Sequence, residues 1–322
     1  MPQLAKAELH VHLEGTAPPE LVSRIAARNG VDLPERLLGT DGRFRYTDFL
    51  DFLATYDLAA SVMRTGEDYR DITYEYLCSC ASGGALYVEL TASPDHAALV
   101  GMSDEEHLDG IARGIDDARR DAGIEGRILT SAVRNFGVEQ AVRVARYTAS
   151  RPHPYVVGFS MAGDEAGFPA GDFAEAYAIV AGAGLGCTIH AGEWAGADSV
   201  RAALALPITR ISHGVRAIEA PSVVAELSAR GIVLECCPTS NVILGVYPSY
   251  EQHPLPALHA AGVPVTLGSD DPPYFGATIE GEYEVCSQRM GFSDDVLREI
   301  TRTAIDAAFC DDDLRAGLHD RV

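Results

Sequence analysis

Four short apolar runs, widely separated along this 322-residue chain, finish in the same kinds of residue. They end as His10-Val11-His12, Thr188-Ile189-His190-Ala191-Gly192-Glu193, Ile211-Ser212-His213-Gly214 and Gly268-Ser269-Asp270-Asp271-Pro272. Side chains alternate across a strand, so His10 and His12 share a face and both imidazoles can reach one ion. Taken alone, such a pair is equally well two polar residues on a solvated edge strand. Several strands that each end in a metal-ligand type call for a fold that gathers strand ends at one place.

The segments between these runs supply that fold. Pro18-Pro19-Glu20-Leu21 opens a helix that Asn29-Gly30 stops. Residues 31–46 read as loop, and Thr47 then opens an apolar helix with Phe49, Leu50, Phe52, Leu53 and Tyr56, which serves either as core or as the roof of a site. Helices are expected over 66–82, 138–150, 172–183 and 255–261, and the capping box Ser103-Asp104-Glu105-Glu106 opens another that runs to Ala122. Strands are expected over 86–90, 127–133, 155–160, 186–190, 210–213, 232–237 and 263–269, with further helices closing the chain.

With 47% hydrophobic residues the chain can bury a large core. About eight strands, each followed by a helix with no linker between them, predict an α/β fold. The expectation is one (β/α)₈ TIM barrel over residues 1–322, a single metal-dependent domain with extra helices after the first strand and at the C-terminus. A doubly wound sheet is the main rival, but no G-x-G-x-x-G turn follows the first strand. No internal repeat or low-complexity tract points to a solenoid.

In a barrel the catalytic groups sit at the C-terminal ends of the strands. Three imidazoles and a carboxylate suit Zn²⁺, which takes N and O ligands and keeps a position open for water in catalytic sites. His10, His12, His190 and Asp270 are assigned as the ligands of one ion per chain. Glu193 lies beside that shell, where it can exchange protons with a substrate, and His213 and Asp271 are left to orient the water. Lys6 is the only lysine, which excludes a second ion bridged by a carbamylated lysine from a mid-chain strand. His96, His107, His153, His253, His259 and His319 lack strand-end settings and are expected on the surface or in the core.

Charge narrows the partners. Lys+Arg of 25 against Asp+Glu of 47 gives a formal −22, so nucleic acid and anionic membrane are poor partners and a small molecule is expected. The seven cysteines are odd in number and scattered, as suits reduced core thiols. The opening residues lack an apolar signal region and no later run is long enough to cross a bilayer, so a soluble cytoplasmic protein is expected. Oligomeric state is not legible.

Six segments, His10-Val11-His12-Leu13-Glu14-Gly15, Ala162-Gly163-Asp164-Glu165, His190-Ala191-Gly192-Glu193, Ser212-His213-Gly214-Val215-Arg216, Cys237-Pro238-Thr239-Ser240-Asn241-Val242 and Ser269-Asp270-Asp271-Pro272, together resemble the adenosine/adenine deaminase family of the amidohydrolase superfamily. They occur in that family's order and span nearly the whole chain. The resemblance implies a zinc barrel that hydrolyses the 6-amino group of a purine. On it, Glu193 protonates purine N1, His213 holds the water and helps deprotonate it, Asp271 contacts N7, and the Gly163 N–H faces N3. Glu14 matches the position, often Asp, that faces the 5′ side of the sugar.

Two segments depart from the family pattern. Ser160-Met161-Ala162-Gly163 stands where Asp-Leu-Ala-Gly is common, and Thr91-Ala92-Ser93-Pro94 where Arg-x-Ser-Pro is common. Asp270-Asp271-Pro272-Pro273-Tyr274-Phe275-Gly276 resembles relatives acting on adenine or on 5′-modified adenosines, so the catalytic ring is intact while the N9 substituent stays open: adenosine or 2′-deoxyadenosine is expected first, with free adenine, aminodeoxyfutalosine and methylthioadenosine as alternatives. A more distant alternative is a mononuclear metal hydrolase of an amide or ester. A cytidine-deaminase-type enzyme needs P-C-x-x-C, which Cys236-Cys237-Pro238 does not supply. A protein with purely structural zinc would leave Glu193, His213 and Asp271 without a task.

Overall fold

In the computed structural model, which describes residues 4–322, strands and helices alternate as the sequence predicts. β1 (Lys6–His12) is followed by α1 (Pro19–Asn29), α2 (Phe49–Ala60) and α3 (Gly66–Ser82) before β2 (Ala85–Ala92). Helices α4 (Pro94–Leu99) and α5 (Asp104–Ala122) lead to β3 (Glu125–Val133), and α6 (Val138–Ala149) leads to β4 (Val156–Ala162). Next come α7 (Ala174–Gly182), β5 (Gly186–Cys187), β6 (His190–Ala191), α8 (Ala197–Ala203), β7 (Arg210–His213) and α9 (Pro221–Arg230). β8 (Val233–Cys236), α10 (Pro238–Ile243), α11 (Leu255–Ala260) and β9 (Val265–Leu267) complete the alternation. α12 (Pro272–Phe275), α13 (Ile279–Met290), α14 (Asp294–Ala307) and α15 (Asp312–His319) follow.

All strand pairs are parallel, running β1 to β5 and β6 to β9 in order. The predicted strand over 186–190 forms as two pieces, because β5 pairs with β4 while β6 pairs with β7. Backbone bonds bridge the gap: Thr188 N–H donates to Phe159 C=O at 3.0 Å and Ser212 N–H to Ile189 C=O at 2.9 Å. The ring closes through a parallel bridge between Val11 and Asp270, with His12 N–H on Asp270 C=O at 3.0 Å. A (β/α)₈ barrel results, with extra helices between β1 and β2 and after β9.

Local chemistry explains the elements. Pro19 occupies the first turn of α1 and Gly30 caps its end at φ +63°, in the left-handed region open to glycine. Thr65 and Asp68 form a reciprocal capping box on α3. The box predicted at Ser103 is only half made: Ser103 accepts from Glu106 N–H at 3.1 Å, but the Glu106 carboxylate turns to Gly66 N–H at 3.0 Å and ties α5 to α3. These helices pack so closely that a Cβ on Gly110 would overlap the Gly66 backbone, which accounts for a glycine inside α5.

The barrel interior is apolar with two buried polar networks. Arg210 donates to Glu89 at 2.6 Å and pairs with Glu235 at 2.7 Å, all three fully buried. Glu8 accepts from Ser269 N–H at 2.8 Å and from Tyr76 O–H at 2.6 Å, fixing the residue just before Asp270. All seven cysteines are free, and Cys80, Cys187, Cys236, Cys237 and Cys286 are buried. Among the described residues no helix is long and apolar enough to cross a membrane.

Candidate active site

The four proposed ligands meet at one rim. His10 Nε2 and His12 Nε2 each lie 3.3 Å from Asp270 Oδ1, and His12 Nε2 faces His190 Nε2 at 3.2 Å. Donors around a tetrahedral ion bound at ~2.0–2.2 Å are about 3.3–3.6 Å apart, so this spacing fits one zinc-sized cation. Each buried ring is aimed from behind: His190 Nδ1–H donates to Met161 C=O at 2.9 Å and His10 Nδ1–H to Glu235 C=O at 3.2 Å. His10 Nε2 is thereby left buried with no hydrogen-bond partner, the lone pair a metal would use. Burial, then the neighbouring imidazoles, holds His190 well below the ordinary histidine range, so it is a neutral donor.

Asp270 and His213 share an unusual backbone. Both sit at positive φ, 63° and 60°, where a side chain other than glycine's is strained. At these two strand ends the strain turns the side chain into the mouth of the barrel. Ser240 Oγ–H donates to Asp270 Oδ2 at 2.6 Å. Burial works to raise the Asp270 carboxyl, but the His10 and His12 imidazoles facing it at 3.3 Å prevail and hold it well below the usual carboxylate range.

His213 Nε2 lies 3.6 Å from Glu193 Oε2 and 3.8 Å from Asp270 Oδ2. A chain of hydrogen bonds sets its tautomer. Leu255 N–H donates to His253 Nδ1, so His253 Nε2 carries the proton given to Asn241 Oδ1 at 3.1 Å. Asn241 then turns its amide N–H to His213 Nδ1 at 3.2 Å, which leaves His213 with an Nε2–H aimed into the site. Burial pushes His213 down to about 3, so the ring is neutral at physiological pH.

Glu193 and Asp271 are both buried. Burial, followed by the Asp270 and Glu165 charges, raises the Glu193 carboxyl well above its usual range. Burial, then Asp270 and Glu193, does the same for Asp271, whose Oδ1 has no partner. A Cβ on Gly15 would overlap that oxygen, so the glycine after Glu14 is what seats Asp271. Gly163 stands at φ +100° and lines the cavity.

These groups surround a cavity of about 130 Å³. Its roof is α2, which lays Phe49, Phe52, Leu53 and Tyr56 over it, with the Phe49 ring 4.7 Å from that of Trp194. On the side of α2 and α3, Glu14 accepts on both oxygens. Its Oε1 accepts from Ser93 N–H at 2.9 Å and Tyr69 O–H at 3.4 Å, and its Oε2 from Tyr56 O–H at 3.3 Å. His107 Nε2 lies 3.8 Å from the same carboxylate. Against the effect of burial, His107 and His96 hold Glu14 below its ordinary value.

The site thus includes residues the sequence reading left aside. His96 lines the cavity with Nε2 2.9 Å from Asp57, and His107 backs Glu14; both were expected to be surface or core. His253 is buried behind His213. Ser240 and Asn241 lie in a motif already singled out, Cys237-Pro238-Thr239-Ser240-Asn241, which was the available signal for them. His107, in the first turn of α5, carried none.

Comparison with known proteins agrees with this geometry. The family model for adenosine deaminase matches residues 5–322. The chain belongs to the adenosine deaminase family. This family member is a hydrolytic aminohydrolase, and its buried cluster of His10, His190, His213 and Asp270, with His12 grouped beside it on Asp270 and Asp271, suits a metal. It is 49% identical over 321 residues to an adenine deaminase of Chelativorans sp. (strain BNC1), covering 99% of this chain and 98% of that one. The crystal structure of adenine deaminase from Arthrobacter aurescens superposes with a TM-score of 0.91 at 32% identity, covering 98% of this chain and 97% of that one. An amidohydrolase from Burkholderia ambifaria, solved with bound Zn, gives a TM-score of 0.87 at 25% identity over 99% of this chain and 89% of that one.

Proposed function

We propose that the chain, acting as one catalytic domain, is a zinc-dependent adenine deaminase that converts free adenine to hypoxanthine and ammonia. The observation that carries the choice of base over nucleoside is Glu14. The sequence placed this carboxylate on the 5′ side of the sugar and put adenosine first, but Glu14 is buried and each oxygen already accepts a hydrogen bond, from Ser93 and Tyr69 on one and from Tyr56 on the other. The adenine deaminases of Chelativorans sp. and Arthrobacter aurescens point the same way.

The reaction follows from the groups present. His10, His12, His190 and Asp270 would hold the ion, which when bound lowers the pKa of water from ~16 toward ~7. Glu193 is kept protonated by burial and donates to N1, which removes the ring's resistance to addition at C6. His213 orients the attacking oxygen as a hydrogen-bond donor, and its Nε2–H tautomer leaves the water's proton to another acceptor, Asp270 being the carboxylate beside it. Asp271, protonated for the same reason as Glu193, donates to N7. Gly163 faces N3 from the opposite edge. Water supplies the oxygen at C6 and a proton of the departing ammonia. The roof residues of α2 keep bulk water from the acid.

A spectrophotometric screen of adenine, adenosine, 2′-deoxyadenosine and 5′-modified adenosines tests the reading. The expected result is hypoxanthine and ammonia in equal amounts from adenine, with kcat/KM at least tenfold above that of any nucleoside. Equal or better turnover of adenosine would overturn it.

A further inference from the structure

The segment Ala162-Gly163-Asp164-Glu165 lines the cavity with its first two residues, and its last residue is more deeply buried than a loop carboxylate normally is, at 3% exposure. Glu165 points at the turn that follows β6. Its Oε1 accepts from Gly192 N–H. Its Oε2 accepts from the N–H groups of Glu193 at 3.1 Å, Trp194 at 2.9 Å and Ala195 at 3.1 Å. One carboxylate, with about four lone-pair sites, is spent on four consecutive backbone donors.

The carbonyls of the same turn are held by cations. Buried Arg134 donates through Nη2 to His190 C=O, and Arg216 donates through Nη1 to Trp194 C=O at 2.6 Å. Gly192, at φ +72°, permits the bend, and a Cβ there would overlap Val200. Burying an ionised carboxylate costs several kcal/mol unless it is fully bonded, so a neutral cap would serve an ordinary turn better. Charge-assisted bonds to backbone N–H groups are roughly twice as strong as neutral ones, and here they restrain the peptide that carries Glu193. A proton donor needs its geometry held to within ~0.5 Å, and four such bonds supply that restraint.

We propose that Glu165 is a positioning residue: by gathering the N–H groups of residues 192–195 it aims Glu193 at the purine ring and presses Trp194 against Phe49 of the roof helix. The proposal rests on the reading of Glu193 as the acid, but it has a readout of its own. Trp194 is the only tryptophan in the chain, so intrinsic fluorescence reports this turn alone.

The test is Glu165→Gln in the zinc-loaded full chain, with Glu193→Gln beside it, measuring kcat and KM for adenine, zinc per chain and Trp194 emission. Gln keeps the volume but loses the charge and one acceptor oxygen. Expected for E165Q is a kcat about 10–100-fold lower, KM and zinc content little changed, and emission shifted to the red. Expected for E193Q is lost turnover with unshifted emission. A wild-type kcat in E165Q, or lower activity with unmoved emission or with loss of zinc, overturns the proposal. Should E165Q fail to fold, Glu165→Asp carries the same test: lower kcat with shifted emission supports the positioning role, and an unchanged kcat refutes it. If the wild-type protein leaves adenine untouched, the functional reading fails, while the emission of E165Q still decides whether Glu165 sets the turn.

Discussion

The two ends of the cavity are built by different means. At the metal end the working groups His10, His12, His190, His213 and Asp270 sit on barrel strands or just past them; backbone carbonyls aim His10 and His190, and strained φ angles aim His213 and Asp270. At the far end Glu14 is bonded by Tyr56 of α2, Tyr69 of α3 and the Ser93 backbone, with His107 of α5 nearby, so helix packing sets the geometry. A ring of strands fixes the chemistry, while the packing of helices is left to decide what is attached to the base. The comparison predicts that changes at the first end abolish turnover and that changes at the second redirect it.

The largest effect is expected at Glu193. Glu193→Gln should retain metal and fold but lose ~10²–10⁴-fold in kcat, the worth of a positioned general acid. Near-wild-type kcat in that variant, measured by loss of adenine absorbance, would place the proton donor elsewhere. Next is Ser240→Ala, which removes the 2.6 Å bond to Asp270. Loss of such an outer partner is expected to lower zinc affinity or activity about 10–100-fold, read by metal titration and steady-state kinetics.

Tyr56→Phe probes the other end. Removing the hydroxyl frees Glu14 Oε2 for a sugar oxygen and should raise the adenosine-to-adenine ratio of kcat/KM by roughly 2–10-fold, the worth of one hydrogen bond. A ratio that falls or stays constant would break the contrast between the two ends. The smallest effect on catalysis, none, is expected from Glu282→Gln under the metal floor, where Glu282 accepts from Thr239 N–H at 3.2 Å. Burial pushes this carboxyl from 4.5 up to about 8, so the folded chain holds a proton that the unfolded chain releases. Its stabilising contribution is complete below about pH 4.5 and lost as pH rises through about 8, at no more than ~1.4 kcal/mol per pH unit. Denaturant midpoints between those limits should fall more steeply for wild type than for E282Q.

The same division explains what was legible in the sequence. Strand ends are local signals: a period-two apolar run followed by His or Asp can be read within six residues, which is why the metal ring and the barrel emerged together. Glu14 lay inside such a motif, but its partners Tyr56, Tyr69 and His107 belong to separate helical stripes and meet it only through packing, so the sequence assigned it to a sugar. Glu106 shows the limit at a smaller scale. Its spacing from Ser103 fits a capping box, yet Gly66 of a neighbouring helix competes successfully for its carboxylate. The split of the fifth strand likewise follows from which neighbours its two halves pair with, and no residue pattern within it records that.

The most direct test of convergence at one rim is metal reconstitution. Protein stripped with a chelator would be titrated with Zn²⁺ while adenine turnover is followed. The expected result is activity that rises linearly and levels off at one equivalent per chain, with no rise in Asp270→Ala. Turnover independent of added metal, or recovery of D270A to the wild-type level, would contradict a catalytic centre formed by His10, His12, His190 and Asp270.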